Sequence, residues 1–338
     1  MVSIAEQHSQ KLLISEGANP GVIRERFVRG RRIELETEEQ VMNDAADRGL
    51  EIAEGTDWLA KVAQHKDFPT YSRPPHVNCT DFIQLENQGA IGSCFGVSGA
   101  SVADWMEWIR TGETGANATR FSGFWHYLKT QEQDNLLGQD KGSVPTSGWV
   151  VAQKIGFVPR SAIARKLHPD AIKAWGGIYP RNYKEGYQQY APLLRDKELL
   201  QLASIYTVGS LVALRKPEHV VEFITLGNGG VQQCSPWVQE FDRRDDNNYI
   251  ARFQGGNRKG MHGHHAYYIS GYNTNKECNI FNSWGEQFGD EGGKTISRSA
   301  HQECLDHKQT YCVGQSKFAM TANPPKPVKA QWKGKNVL

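Results

Sequence analysis

The sequence predicts an α+β fold, on three observations. Apolar residues recur at helical spacing between residues 94 and 156, whereas strand-like runs dominate after about residue 217. Helices first and strands later argue against an alternating parallel sheet. The chain is also long enough, at 338 residues with 38% hydrophobic residues and 34 glycines, to build a sizeable core in one large domain or two ordinary ones. No repeat at solenoid spacing is visible.

Taken in order, residues 1–72 read as a polar helical extension. They carry a basic cluster (Arg24, Arg26, Arg29, Arg31, Arg32) followed by an acidic one (Glu34, Glu36, Glu38, Glu39). Helices are expected over 36–48 and 51–64, the second with Ile52, Trp58, Leu59 and Val62 as an apolar stripe. A pro-segment and a docking arm are both consistent with this pattern. Ser72-Arg73-Pro74-Pro75 then breaks the chain, because two prolines stop a helix and force extended backbone. The main domain is expected over 73–322. Within it, the small, turn-prone run Gln88 to Ser93 enters a helix that starts at Cys94, with Ser93 as N-cap and Thr111-Gly112 as its stop. Further helices are expected over about 121–132 and 147–155, the latter ending at Gly156. Residues 160–200 read as mixed, with a Tyr- and Trp-bearing loop around 175–190. A helix over 220–226 ends at Gly227-Asn228-Gly229-Gly230, and strands follow at 249–253, 266–270 and 279–281. Pro324-Pro325-Lys326-Pro327 opens a Pro/Lys-rich tail over 323–338, read as solvated or as a docking strand.

Several function classes are disfavoured. The formal net charge is +2, so no bulk field marks the chain for nucleic acid or a membrane surface. No apolar run approaches the roughly 20 residues that cross a bilayer. The N-terminus lacks the basic start and apolar core of a secretory signal, so a cytoplasmic or particle-associated location is expected. Six cysteines are too few for a disulfide scaffold in so long a chain. The question they pose is whether one is a reactive thiol.

Cys94 is the candidate. At the first turn of a helix, unpaired N–H groups and the macrodipole favour an anion and lower a thiol pKa. Gln88 lies six positions earlier across a glycine-bearing loop. A Gln amide folded back toward the sulfur, with the Cys94 N–H, can bind a developing oxyanion. Downstream, His265 heads an apolar strand, and Asn282 stands seventeen residues later. A strand, a turn and a returning strand bring Asn282 beside His265. Its carbonyl then fixes the imidazole tautomer, and Trp284 screens that bond from water. The other cysteines, Cys79, Cys234, Cys278, Cys304 and Cys312, read as free thiols or buried small residues, with a Cys304–Cys312 pair left open. Cys304 and Cys312 with His301 and His307 match no zinc template, and the His262, His264, His265 run lacks a fourth ligand. His264 reads as a rim residue and His262 as a loop residue. No metal and no cofactor are expected.

Gln88, Gly92-Ser93-Cys94-Phe95, His265-Ala266 and Asn282-Ser283-Trp284-Gly285, in that order, resemble the papain-like (cathepsin-type, C1) cysteine proteases. Gly289-Asp290-Glu291-Gly292 is similar to the turn after that family's Trp-Gly pair. The resemblance covers roughly 73–320. It implies a two-lobed fold, with a helical lobe carrying the nucleophile Cys94 and a β-barrel-like lobe carrying His265 and Asn282. It implies Gln88 as oxyanion donor, Ser93 and Trp284 in support, and a peptide or protein as substrate. Two departures stand out. The stretch from Cys94 to His265 is 171 residues against the usual 130–150, so an insertion is expected within 160–260. The family's disulfide cysteine three residues before the nucleophile is Ile91 here, as suits a reducing compartment. Two other readings stay open. One is a structural or docking component of a larger assembly, such as a phage particle, engaged through the N-terminal arm or the tail. The other is a cell-wall peptide amidase of the same Cys-then-His order.

Overall fold

A computed structural model describes residues 26–28, 31–33, 37–50, 52–64, 86–225, 229–242, 248–255 and 261–316. The first elements are a short antiparallel pair, β1 (Arg26–Val28) and β2 (Arg31–Ile33). Helix α1 (Glu38–Asp47) follows. Thr37 caps it, accepting from the Gln40 N–H while the Gln40 side chain accepts from the Thr37 N–H. Strand β3 (Ile52–Glu54) runs into α2 (Gly55–Gln64), so the second expected helix starts later than its apolar stripe, and Ile52 is a strand residue. Where described, the extension read as helical over 1–72 therefore holds two helices and also three short strands. Trp58 and Leu59 of α2 and Val41 and Ala45 of α1 are buried in the main core.

Helix α3 (Cys94–Thr111) begins and ends where the capping signals place it. Gly112 takes the left-handed conformation at φ 70° and closes it through an N–H to Trp108 O. Helix α4 (Gly123–Gln133) is capped by Ser122, which accepts from the Trp125 N–H. These two helices approach at glycines. A Cβ on Gly96 would stand 2.6 Å from Tyr127 Cβ and 2.7 Å from Gly123 O, so only glycine permits the contact. Helix α5 (Pro145–Val150) continues as a π turn to Ile155 and stops at Gly156, as expected.

The loop read around 175–190 is a correction. Residues 160–203 form α6 (Arg160–Ala164), α7 (Pro169–Trp175), α8 (Tyr183–Tyr190) and α9 (Lys197–Ala203). Their tyrosines, read as loop residues, are core residues: Tyr183 and Tyr190 meet Phe124 edge-on at 6.3 and 5.0 Å. Asn182 caps α8 by accepting from the Glu185 N–H.

Strand β4 (Ser210–Ala213) and α10 (Pro217–Thr225) precede β5 (Gly229–Val238). Here the reading of Gly229-Gly230 as the end of a helix fails. Both open a ten-residue strand whose every residue is buried. Gly229 lies against the Gln315 carbonyl, where a Cβ would be 1.6 Å away, so the pair of glycines is a backbone contact and not a loop signal. Then come α11 (Gln239–Asp242), β6 (Tyr249–Ile250), β7 (Met261–Tyr272), β8 (Cys278–Phe281), β9 (Gly293–Ile296), α12 (Arg298–Leu305) and β10 (Tyr311–Ser316). The expected strand at 249–253 is shorter, and His262, read as a loop residue, lies in β7.

One eight-stranded sheet runs β3-β4-β10-β5-β7-β8-β9-β6. A first core unites this sheet with α1, α2 and α3, and a second lies among α4, α6, α8 and α9. These are the two halves of an α+β molecule. No helix among the described residues is long and apolar enough to cross a membrane. Cys79, Pro74 to Asp81 and the tail after Ser316 lie outside the described residues.

Candidate active site

Helix α3 presents Cys94 at its first residue, facing the sheet. The amide N–H groups of Ala266, Phe95 and Cys94 itself point at the sulfur. Ala266 follows His265 in β7, so the thiol lies against the strand that carries the imidazole. Ser93 is buried and makes no side-chain cap. Its hydroxyl is instead hydrogen-bonded to the hydroxyl of Tyr179.

Strands β7 and β8 form the hairpin that joins the other pair. His265 pairs with Ser235 of β5, and Asn282 comes immediately after β8. His265 Nε2 lies 2.6 Å from Asn282 Oδ1. That oxygen can only accept, so Nε2 carries the hydrogen and Nδ1 is left with its lone pair. Nδ1 is buried and has no hydrogen-bond partner among the described residues. The imidazole is flanked by two indoles, Trp284 at 5.1 Å and Trp237 at 4.8 Å between ring centres. Trp237 also meets Trp284 edge-on at 5.1 Å, and its indole N–H donates to Asp242 Oδ1 at 2.7 Å.

Gln88 reaches the same place through the backbone. Its N–H donates to Ser283 O at 2.8 Å, Asn87 bridges to Trp284, and the Gly285 N–H donates to Glu86 O at 3.2 Å. The strip 86–88 is thus sewn onto Ser283 to Gly285. The Gln88 side chain donates to Ile91 O at 2.7 Å and accepts from the Ser283 hydroxyl. The structure therefore brings together Gln88, Ser93, Cys94, His265, Asn282 and Trp284.

Electrostatics modify one expectation. The helix start was expected to lower the thiol pKa. Burial instead pushes Cys94 up to about 11, against the opposing effect of the three amides. Burial likewise pulls His265 down to about 4, although the Asn282 bond favours its charged form. Burial thus disfavours the charged form of each member of the pair.

The remaining candidates are placed elsewhere. His264 is half-buried, with Nε2 at 2.7 Å from Gln309 O. His301 and Cys304 are buried on either side of Gln233, whose Oε1 lies 2.9 Å from His301 Nε2 and whose amide donates to Cys304 Sγ at 3.3 Å. The five described cysteines are reduced thiols. No cluster of three metal-ligating side chains occurs among the described residues. Three residues of the site were not foreseen. Trp237 lies in the strand whose glycines read as a loop, Tyr179 lies in the segment read as a loop, and Asp140, which accepts from the Gly92 N–H at 2.9 Å, carries no local signal.

Among solved structures the chain is similar to xylellain, a cysteine protease from Xylella fastidiosa. Identity is 16% and the TM-score 0.51, over 75% of this chain and 98% of that one. It is also similar to digestive procathepsin L 3 of Tenebrio molitor larval midgut, at 15% identity and a TM-score of 0.50, over 78% and 79% of the two chains. The fold is papain-like. No protein-family model matches the sequence, and no curated protein does. At such identities the likeness extends to the papain-like architecture and no further.

Proposed function

We propose that the protein is a cysteine endopeptidase acting through Cys94, His265 and Asn282. The observation that carries this reading is the orientation of His265. Asn282 holds its Nε2, while its unpartnered Nδ1 belongs to the strand against which the Cys94 thiol lies. In the proposed reaction, His265 Nδ1 takes the thiol proton as the sulfur attacks a peptide carbonyl. Because burial disfavours the charged form of each group, this transfer is coupled to attack. The negative charge that develops on the carbonyl oxygen is met by the Gln88 amide and the Cys94 N–H, each such donor being worth about 3 kcal/mol. The amine leaves with the proton from Nδ1, giving a thioester. Water then attacks the thioester, returns a proton through Nδ1 to the sulfur, and releases the acid. Asn282 keeps the ring in register throughout, and Trp284 and Trp237 exclude water from the Nε2 side.

The decisive experiment is hydrolysis of a denatured protein substrate, together with labelling by a thiol-reactive epoxide peptide and location of the label by mass spectrometry. The expected result is thiol-dependent cleavage, a label on Cys94, and loss of both in Cys94→Ala. Cleavage that survives in Cys94→Ala, or label spread over several cysteines without preference, would overturn the assignment.

A further inference from the structure

We infer that Asp140 is a positioning residue for the reacting thiol, a side-chain latch that holds the turn leading into Cys94. The inference rests on the reading of Cys94 as the nucleophile. The turn from Gln88 to Ser93 is held within itself by bonds that end on Gln88 and Ile91 and none that ends on Gly92. It has the Ile91 N–H to Gln88 O bond, the Ser93 N–H to Ile91 O bond and the Gln88 side-chain bond to Ile91 O. Ile91 stands where the resemblance places a disulfide, so no covalent tie is available there. The next residue, Gly92, supplies a tie of another kind. Its N–H donates to Asp140 Oδ1 at 2.9 Å, and the Tyr127 hydroxyl donates to the same oxygen at 2.9 Å. The two loops touch, since a Cβ on Gly92 would stand 3.1 Å from the Gly142 nitrogen.

The latch is itself braced. The Gln131 amide nitrogen lies 2.8 Å from Tyr127 Oη, 2.8 Å from Gln139 O and 3.0 Å from Gly142 O. The Tyr183 hydroxyl donates to Gln131 Oε1 at 2.8 Å and accepts from the Gly138 N–H at 2.9 Å. Asp140 is exposed at the rim of the molecule, yet Oδ1 turns inward to protein donors, and desolvation raises its pKa. Bonds to an ionised acceptor are about twice as strong as neutral ones, which suits a single side chain replacing a covalent tie. The titratable groups facing it are Tyr127 on α4, Tyr179 before α8, Tyr183 on α8 and Cys94 on α3. None is a cation, and Lys141 is its chain neighbour. The carboxylate therefore also opposes formation of a thiolate at Cys94.

Holding the turn and opposing the thiolate can be separated in the full chain with Asp140→Ala and Asp140→Asn. Asparagine retains the Oδ1 acceptor and removes the charge. In Asp140→Ala, kcat for peptide hydrolysis is expected to fall about tenfold or more with KM within about twofold, and the Gly92 amide to lose protection in hydrogen exchange. Asp140→Asn is expected to recover most of that kcat, keep Gly92 protected, and move the pH profile of Cys94 alkylation to lower pH. Hydrolysis and Gly92 exchange unchanged in the alanine variant would overturn the inference. So would an asparagine variant as impaired as alanine with an unmoved alkylation profile. Should alanine prevent folding, the asparagine profile and exchange decide alone. If the wild type shows no thiol-dependent hydrolysis, the catalytic reading fails, and the latch is still judged by Gly92 exchange and the alkylation profile.

Discussion

Cys94 and His265 are each placed where burial penalises their charged forms. The imidazole, near 4, and the thiol, near 11, leave a wide neutral window between them. In that window the free protein holds little thiolate. Alkylation of Cys94 by iodoacetamide is therefore expected to be slow at pH 7 and to climb about tenfold per pH unit through the alkaline range. A rate plateau between pH 5 and 8 would instead reveal a standing thiolate–imidazolium pair, and the coupled proton transfer proposed above would be wrong. At this scale much was legible. Gln88, Cys94, His265, Asn282 and Trp284 stand out as candidates from residue type and spacing, because each sits in a short motif whose local chemistry is visible, whereas Ser93 reads as an N-cap and its side chain makes no cap bond. Trp237, Tyr179 and Asp140 were not, because each joins the site through a contact distant in sequence.

At the scale of elements, the helix that carries Cys94 owes its position to its neighbour α4. Their closest approach is built from Gly96 and Gly123, with the Val97 Cα 2.8 Å from where a Gly123 Cβ would stand. Gly96→Ala would push α3 off α4 against backbone atoms that cannot rotate away. A loss of about 1–3 kcal/mol is expected in a denaturant titration, together with reduced hydrolysis in the folded fraction. A variant as stable as the parent would show that the two helices can separate without cost. Helix boundaries at 94, 112 and 156 were readable, because turn-prone residues and positive-φ glycines act locally. Strand β5 and helices α7 and α8 were not. Gly229-Gly230 and the Tyr-rich run at 179–190 have the composition of loops, and burial against β10 and Phe124 overrides that composition.

For the whole molecule, buried titratable groups set the range of pH over which the fold is stable. His126, His265 and His301 are pulled to about 3, 4 and 4 by burial, from an ordinary value near 6.5. Below about 6.5 the unfolded chain binds protons that the folded chain refuses. Stability then declines as pH falls, by on the order of 1 kcal/mol per histidine for each unit. On the alkaline side the sign reverses. Cys94 and Cys278 are raised to about 11 and 12, so above about 9 the unfolded thiols ionise first and stability again declines. Thermal melts across pH 4–11 are expected to show a maximum Tm between about 6.5 and 9. A Tm that holds from pH 7 down to pH 4.5 would mean that these histidines are not desolvated in the fold.

The described N-terminal residues belong to this whole. Arg215 pairs with Glu38 and Glu54, the Lys154 ammonium donates to Arg48 O at 2.9 Å, and β3 adds to the sheet beside β4. What short-range chemistry settles is the broad helices-then-strands order and the helix start at Cys94, and it nominates candidates for nucleophile, base and oxyanion donor. These depend on capping, periodicity and side-chain type, all of which are written into neighbouring residues. What only the packed chain decides is which groups meet and in which charge state. Long-range pairing sews 86–88 onto 283–285 and brings Trp237 against His265, and the removal of water then opposes the thiolate that a helix start favours.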